Sequence, residues 1–308
     1  MNRPVRRAAL ASVAVALLLG ALKAWAALKT GSVAVLASLA DSLLDLVASL
    51  VTLGGVRWAM QPADAEHRFG HGKAEALAAL FQVGVIAVSA FAILLRAIER
   101  LSTDQTSTDP EYGIGVSIVA FVLTLALTSY QRSVIRRTRS VAIGADHVHY
   151  QSDLLLNGAV IVALVLEGYL GLAGADPLFG IAIAFWLMFG AWRASVEAIN
   201  QLMDREWPEE KRRRLVEVAC GLSGFERLHD LRTRTSGNRD FVQFHIWVDP
   251  DMSVAAAHDV VEALERALAD EFPGIEVLIH LDPAGQVDDP HNPLVEADES
   301  AFLKETKR

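Results

Sequence analysis

Cysteine is almost absent from this chain: Cys220 is the only one among 308 residues. One thiol forms neither a disulfide framework nor a thiolate metal cluster, so a bound metal would depend on Asp, Glu and His side chains. A basic excess is lacking too, because 28 Lys and Arg stand against 37 Asp and Glu and give a net charge of −9. Nucleic-acid binding needs a basic face, and the composition therefore argues against that class of partner.

The negative charge is confined to the last third of the chain. Residues 1 to 207 contain 16 basic and 16 acidic side chains, whereas residues 208 to 308 contain 12 and 21.

Signatures of enzymes are missing as well. We find no nucleophile arrangement of Ser, Cys or Lys and no phosphate-binding glycine loop, so we do not expect an enzyme.

Long apolar runs are abundant. Six of them approach the roughly 20 residues that cross a bilayer. They cover approximately 8 to 28, 33 to 56, 74 to 97, 112 to 131, 147 to 170 and 177 to 199. The first run also fits a signal peptide that would be cleaved after Ala24-Trp25-Ala26. We favour a membrane span there, because the run continues almost directly into the second.

The connections between the runs differ in their basic residues. Ten Lys and Arg lie at the N-terminus and in the second and fourth connections, against three on the other side. Because basic connections stay in the cytoplasm, both termini are expected there, and an even number of spans agrees with that. We therefore expect a membrane domain of six transmembrane helices at residues 1 to 207.

After Trp207-Pro208 the pattern becomes that of a soluble domain, residues 208 to 285. Helical periodicity covers 209 to 220 and 253 to 272, and strand patterns cover 226 to 235, 240 to 249 and 275 to 281. The order αββαβ predicts a small α+β domain in which helices cover one sheet. The acidic remainder, 286 to 308, is expected to be a disordered tail.

Ionisable residues lie inside two of the apolar runs. The second run contains Asp41 and Asp45, and the fifth contains His149 and Asp153. A charge at that depth costs at least about 2.5 kcal/mol. Residues four apart share a helix face, so the two pairs offer one nitrogen and three oxygens, a set that suits a tetrahedral divalent ion such as Zn²⁺. Helix capping is the alternative for a single residue, and a proton relay is compatible with all four.

Two further clusters lie outside the runs. In the loop after the second run, Asp64, His67 and His71 form one ligand face if the loop makes a helical turn, although a solvated loop explains the same spacing. In the acidic domain, His280 and Asp282 share one face of a strand. Three more histidines fall on other predicted elements: His229, His245 and His258. Exposed or core histidines are the alternative there.

Three segments together match one family in the right order. They are Asp41-Ser42-Leu43-Leu44-Asp45, residues 67 to 75, and His149-Tyr150-Gln151-Ser152-Asp153. With them the chain resembles the cation diffusion facilitators, in particular their bacterial ferrous-iron and zinc efflux branch, from about residue 8 to 284. The resemblance implies a homodimeric metal/proton antiporter of the inner membrane, with six membrane helices and a cytoplasmic αββαβ domain of metallochaperone type.

The resemblance also implies roles for individual residues. The transport site would consist of Asp41, Asp45, His149 and Asp153. A second zinc site falls on Asp64, His67 and His71. A binuclear site at the cytoplasmic dimer interface falls on His229, His245, His258, His280 and Asp282, with Asp282 bridging two ions. Lys73 and Asp204 match an interlocked ion pair that holds the membrane halves of the dimer together.

Two residues depart from the family pattern, and a third lies close to the implied transport site. Leu281 lies between two implied ligands where a polar residue is expected, and His147 adds an imidazole on a different helix face from His149. Asp146, three residues before His149, is expected to orient that imidazole or to attract cations.

The resulting hypothesis is a secondary transporter that exports Zn²⁺, and also Cd²⁺ and Fe²⁺, from the cytoplasm in exchange for protons by alternating access. The acidic domain is expected to sense the metal load through its bound zinc. Two alternatives stay open: an exporter with Fe²⁺ or Mn²⁺ as its main cargo, and a membrane-anchored metal sensor.

Overall fold

The computed structural model describes residues 3–30, 33–102, 110–170, 175–237 and 239–285. The chain divides into two compact units, Met1–Asn200 and Gln201–Arg308. The domain boundary expected after residue 207 lies seven residues beyond this division. The tail expected to be disordered, 286–308, lies outside the described residues.

Six long helices make up the described part of the first unit. They are α1 (Arg3–Thr30), α2 (Val33–Ala59), α3 (Ala74–Ser102), α4 (Pro110–Thr138), α5 (Val141–Leu170) and α6 (Ala175–Leu202). Each contains one predicted apolar run, as expected where a backbone must satisfy its own hydrogen bonds inside a bilayer. Within the described residues, α1, α2, α3, α4 and α6 are long and apolar enough to cross a membrane. The remaining helix, α5, is 30 residues long, and the total of six spans stays a prediction.

The helix α5 occupies a central position in this unit, because it packs against α1, α2, α3 and α4. Small residues permit close approach between neighbouring helices: a Cβ atom added at Gly55 would lie 2.4 Å from the Cβ atom of Ala78 on α3. Large apolar side chains such as Val88, Phe91 and Trp192 are exposed. Polar residues of α2 and α5 can therefore meet inside the bundle, while apolar faces remain for lipid.

The second unit has the predicted αββαβ order in its described residues. Its elements are α7 (Glu209–Cys220), β1 (Leu228–Ser236), β2 (Arg239–Val248), α8 (Val254–Glu271) and β3 (Ile275–Pro283). The sheet order is β1-β2-β3, with β1 antiparallel and β3 parallel to β2.

The two helices of this unit cover the sheet. Leu215 of α7 and Leu264 of α8 are fully buried in one core with Phe244 of β2. Burying apolar side chains of that size contributes about 1.5–3 kcal/mol each. The predicted fold class, a helical membrane region followed by a small α+β domain, is confirmed.

Candidate metal sites

The first cluster of metal-ligand residues joins α2 and α5. The Nε2 atom of His149 lies 3.0 Å from Oδ1 of Asp45. Asp45, His149 and Asp153 each offer a ligand atom, and these three atoms lie within 4.8 Å of one another. The His149 side chain is only 3% exposed, against 21% for Asp45. His149 and Asp153 share a face of α5 because they are four residues apart, and this face meets α2.

Asp41 is the fourth residue expected in this site, and its placement differs. Its side chain is exposed, and it is not part of the ligand group that the structure forms among the described residues. Asp41 lies one helical turn, or about 6 Å along the axis, from Asp45. Asp41 can therefore join the other three residues only if α2 or its own side chain moves.

Asp146 does not orient His149, contrary to the expectation from its spacing. Its Oδ2 atom accepts hydrogen bonds from the hydroxyl of Ser12 at 2.6 Å and from the amide of Gln131 at 2.8 Å. Asp146 is fully buried, and its Oδ1 atom has no hydrogen-bond partner in the part of the chain that the structure describes. This carboxyl group thus connects α5 to α1 and α4. The extra histidine, His147, also faces Gln131, with 3.4 Å between Nδ1 and Oε1.

The hydroxyl of Tyr150 extends the polar contacts of α5 to α2. It donates to the carbonyl oxygen of Ser12 at 3.1 Å, and it lies 2.9 Å from the hydroxyl of Ser49. Tyr150 is fully buried. The residue next to His149 is therefore fixed by both α1 and α2, which restricts where the imidazole can lie.

The second cluster lies in the loop between α2 and α3. Oδ1 of Asp64 accepts hydrogen bonds from the backbone N–H groups of Glu66 at 3.0 Å and His67 at 2.6 Å. The other oxygen of Asp64, Oδ2, lies 3.3 Å from Nε2 of His71. The backbone N–H of His67 is the main cause that lowers the pKa of Asp64. Asp64, His67 and His71 form a group with ligand atoms within 4.8 Å of one another.

The sequence suggested that a helical turn brings these three residues together. Residues 61 to 73 instead contain turns and bends and no helix. The N–H of Gly70 donates to the carbonyl of His67 at 2.9 Å, and Gly70 has a φ of 80°. That left-handed conformation suits glycine because it has no Cβ atom. The turn at Gly70 reverses the chain, so that the ring centroids of His67 and His71 lie 4.5 Å apart.

The third cluster arises from the register of the cytoplasmic sheet. His229 on β1 pairs with His245 on β2, and His245 pairs with His280 on β3, so the three histidines form one row across the sheet. Directly paired residues point to the same face. Their ring centroids are separated by 5.3 Å for the first pair and 4.7 Å for the second.

Asp282 contacts all three histidines of this row. Its Oδ2 atom lies 2.9 Å from Nδ1 of His245 and 3.4 Å from Nε2 of His229, and its Oδ1 atom lies 3.3 Å from Nε2 of His280. The two oxygens thus face different histidines, an arrangement that fits a carboxylate between two ions. Leu281 points away and packs against the core, as alternation along a strand requires.

Other residues implied by the family resemblance are placed elsewhere. His258 is exposed on α8, and its nearest acidic partner is Glu262 at 3.9 Å. It does not join the row of histidines within the described residues of one chain. Lys73 belongs to the first unit and Asp204 to the second, where Asp204 lies 3.6 Å from Arg234. The pairing of Lys73 with Asp204 stays a prediction.

Asp230 is a residue of the third cluster that the sequence did not reveal. It follows His229 directly, so a regular strand would point it to the opposite face. The register shifts between His229 and Arg232, and Asp230 has a φ of 50°. Asp230 is buried, with its Oδ2 atom 3.6 Å from Nε2 of His245, and the guanidinium of Arg232 donates to both of its oxygens.

Comparison with known proteins finds matches to both units of the chain. Residues 9–203 match the cation efflux transmembrane domain, and residues 207–284 match the cytoplasmic domain of cation efflux proteins. The cation-efflux pump FieF of Cronobacter sakazakii is 46% identical over 286 residues, which are 93% of this chain and 95% of that protein. FieF of Serratia proteamaculans is 46% identical over 285 residues, with 92% and 95% covered.

Two solved structures of named transporters match part of the chain in sequence. The zinc form of the transporter CzrB has 37% sequence identity and a TM-score of 0.25, and the match covers 28% of this chain and 99% of that one. The metal-bound C-terminal domain of the CzcD transporter from Thermotoga maritima has 27% identity and a TM-score of 0.25, with 27% and 99% covered.

Side chains that could bind a metal ion lie together between helices of the first unit and again on the sheet of the second, an arrangement that fits a membrane transporter for metal cations. The family matches make this specific. The chain belongs to the cation efflux family, the cation diffusion facilitators, as the sequence motifs indicated. It is a multi-pass divalent-cation efflux transporter similar to FieF, and its family is one of transporters and not of enzymes.

Proposed function

We propose that this protein is a proton-coupled antiporter that exports Zn²⁺ from the cytoplasm across the inner membrane, with Cd²⁺ and Fe²⁺ as further cargo. The supporting observation is the contact of 3.0 Å between His149 and Asp45, with Asp153 in the same cluster, between two helices of the membrane domain. Asp41 completes the ligand set. Alternating access opens the site formed by these four residues to one side of the membrane at a time.

The choice of zinc rests on the chemistry of the donors. One imidazole nitrogen and three carboxylate oxygens suit Zn²⁺ and Cd²⁺ in tetrahedral geometry, whereas Mn²⁺ prefers more oxygen ligands and six-fold geometry. The ligands include no cysteine, since Cys220 is the only one in the chain. The alternative is that Fe²⁺ or Mn²⁺ is the main cargo. Competition of these ions with zinc uptake distinguishes the two possibilities.

Proton coupling follows from the same contact. At 3.0 Å, Nε2 of His149 and Oδ1 of Asp45 share one hydrogen in a hydrogen bond. A metal ion bound to both atoms must displace that hydrogen, because each ligand binds metal only in its deprotonated form. Metal and proton thus exclude each other at one pair of atoms. Protons that arrive from the outer side expel the ion there.

Zinc at the other two clusters has a regulatory or structural role in this proposal. The donor set of His229, His245, His280 and Asp282 fits zinc, because imidazole and carboxylate are its usual ligands where cysteine is absent. Bound zinc would supply a positive charge that holds the three strands of the sheet together. The loop could bind one ion through Asp64, His67 and His71. The proposed transporter acts as a homodimer, and both of its termini lie in the cytoplasm.

A membrane-anchored metal sensor is the second candidate function. It accounts for the cytoplasmic cluster equally well. It gives no reason for the contact between His149 and Asp45, because an anchor does not need ionisable groups between its helices and their insertion is unfavourable. The intramembrane cluster therefore favours transport.

The test is zinc uptake into proteoliposomes that contain the purified protein and carry an imposed pH gradient. We expect gradient-dependent uptake by the wild type and none by Asp45→Ala. The variant Asp259→Ala, at an exposed position of α8, is the control and should transport like the wild type. Undiminished flux in a folded Asp45→Ala protein would refute the proposed site. Competition with Fe²⁺, Mn²⁺ and Cd²⁺ then ranks the cargo.

A further inference from the structure

Three arginines lie on one face of the first helix, close to the N-terminus. Arg3, Arg6 and Arg7 are exposed on α1, and their spacing of three and four residues places them on a common face. The same face continues along α1 as an exposed apolar stripe. Its members include Leu10, Leu17 and Leu18. A group of positive charges thus stands at one end of a helix surface that suits lipid chains.

The end of α4 repeats this arrangement. Four exposed arginines lie in its last turns and directly after it: Arg132, Arg136, Arg137 and Arg139. Arg132 and Arg136 follow Leu125 by seven and eleven residues, so all three share one helix face. The exposed apolar stripe of this face consists of Ile118, Val122 and Leu125.

The two groups of arginines are neighbours, because α1 packs against α4. The amide of Gln131 on α4 donates to the hydroxyl of Ser12 on α1 at 3.1 Å. Successive spans cross in alternate directions, so the two helices are antiparallel, and buried residues near their basic ends pack in one cluster. Arg7 lies five residues before Ser12, and Arg136 lies five residues after Gln131, about 7.5 Å along the axis in each case. Arg7 and Arg136 are therefore at the same level.

Acidic residues are lacking beside these arginines in the sequence. No Asp or Glu occurs in residues 1 to 40 or in residues 112 to 145, which together contain all seven arginines. Every basic residue at these two helix ends is an arginine. Lysine would serve equally well to keep this end of the domain on one side of the membrane. The planar guanidinium group differs in that it binds two oxygens of one phosphate group at once.

We propose that the seven arginines and the exposed apolar stripes of α1 and α4 form a binding surface for anionic phospholipids. The guanidinium groups hold the phosphate of the headgroup, and the stripes contact the acyl chains. Basic clusters at the end of a membrane span attract anionic headgroups in this way. In the orientation proposed above, these lipids belong to the cytoplasmic leaflet. A headgroup bound between Arg7 and Arg136 connects the two helices and stabilises their packing.

The acidic domain of the same chain is the other source of negative charge. Residues 208 to 308 contain 21 acidic side chains. Lipid is the better match, because Arg3, Arg7, Arg132 and Arg136 lie on the same helix faces as the exposed apolar stripes. A soluble acidic partner gives no reason for this continuity of basic and apolar surface.

The experiment measures lipid binding to the full-length protein in detergent by native mass spectrometry. The added lipids are phosphatidylglycerol, which is anionic, and phosphatidylcholine with the same acyl chains, which has no net charge. We expect phosphatidylglycerol to bind preferentially. Each arginine near an anionic headgroup contributes about fivefold in affinity, so Arg7→Gln combined with Arg136→Gln should weaken its binding about 25-fold.

A matched control removes two exposed arginines of the second unit, Arg239→Gln combined with Arg266→Gln, and should bind lipid like the wild type. The test variant should keep its orientation in the membrane. It loses two of the ten basic residues on that side, which leaves eight against three on the other.

The apparent unfolding temperature in nanodiscs gives a second readout. A ligand that binds only the folded protein raises this temperature. The wild type and the control should unfold at a higher temperature in phosphatidylglycerol than in phosphatidylcholine, and the test variant should lose this difference. Glycerol phosphate, which is a soluble headgroup without chains, should not replace the lipid.

Four outcomes would overturn the proposal. Equal binding of both phospholipids by the wild type would leave the arginines only a role in orientation. Equal stabilisation by glycerol phosphate would indicate a site for soluble phosphate. A decrease in unfolding temperature with salt that is the same in both lipids, without preferential binding, would indicate the acidic domain as partner. If the double variant does not fold, each single substitution is measured, with a loss of about fivefold expected, and misfolding of both would show a structural role instead. The zinc-transport result for Asp45→Ala does not affect these measurements.

Discussion

His149 Nε2 and Asp45 Oδ1 lie 3.0 Å apart although 104 residues separate them in the chain. This contact ties the middle of α2 to the first half of α5. In the proposed transport site these two atoms are also metal ligands, so cargo would replace one of the bonds between the two helices. Loading of the site is therefore coupled to the packing of α2 against α5.

The two aspartates of α2 are expected to differ in importance. Asp45→Asn should reduce zinc transport to background, a loss of at least about a hundredfold, because it removes a ligand and weakens the contact with His149. Asp41→Asn should retain measurable flux, since Asp41 is exposed and must move before it can complete the ligand set. Initial rates in proteoliposomes check this order. Equal losses would show that Asp41 is already a full ligand of the loaded site.

The spacing of four predicted that each pair on α2 and α5 shares a helix face. The structure brings Asp45, His149 and Asp153 together and leaves Asp41 outside the group that its described residues form, so the four-ligand site stays a prediction. The sequence also predicted the order αββαβ, from periodicity and turn residues. It did not reveal Asp230, because the bulge that turns this side chain towards His245 changes the alternation of the strand. Nor did it reveal that Asp146 faces Ser12 and Gln131, since contacts between distant helices leave no local pattern.

Gly55 is expected to be essential for the close packing of α2 against α3. In Gly55→Ala the new Cβ atom would lie 2.4 Å from that of Ala78 and 3.1 Å from the carbonyl oxygen of Ala74. The helices must move apart, and overpacking of this kind costs about 1–3 kcal/mol. The adjacent variant Gly54→Ala is a matched control, because no atom lies within 4 Å of its added Cβ.

These two glycine variants are compared by their apparent unfolding temperature in detergent. We expect a clear decrease for Gly55→Ala and none for Gly54→Ala. The loop with Asp64, His67 and His71 connects the same two helices, so Gly55→Ala should also weaken zinc binding at that loop. Equal unfolding temperatures for both variants would contradict the close approach.

Asp230 is predicted to position the imidazole of His245. Asp230→Asn keeps a residue that tolerates the left-handed backbone but removes the charge that faces Nε2. Loss of such a partner usually lowers metal affinity about 10- to 100-fold. Zinc binding that depends on Asp282 should weaken accordingly in the full-length protein, whereas Asp259→Asn on the exposed face of α8 should have no effect. Unaltered binding in Asp230→Asn would show that Asp282 alone orients the ring.

Asp146 is predicted to stabilise the bundle through one of its two oxygens. Both hydrogen bonds, from Ser12 and Gln131, end at Oδ2, and Oδ1 has no partner among the described residues. Asp146→Ala leaves a buried hydroxyl and a buried amide without an acceptor, a loss of roughly 1–3 kcal/mol. Asp146→Asn can retain both bonds with its single oxygen and place its amide nitrogen where Oδ1 was. The apparent unfolding temperature should therefore fall for Ala and stay near the wild-type value for Asn. An equally large decrease for Asn would mean that the negative charge of Asp146, and not its shape, holds α1, α4 and α5 together.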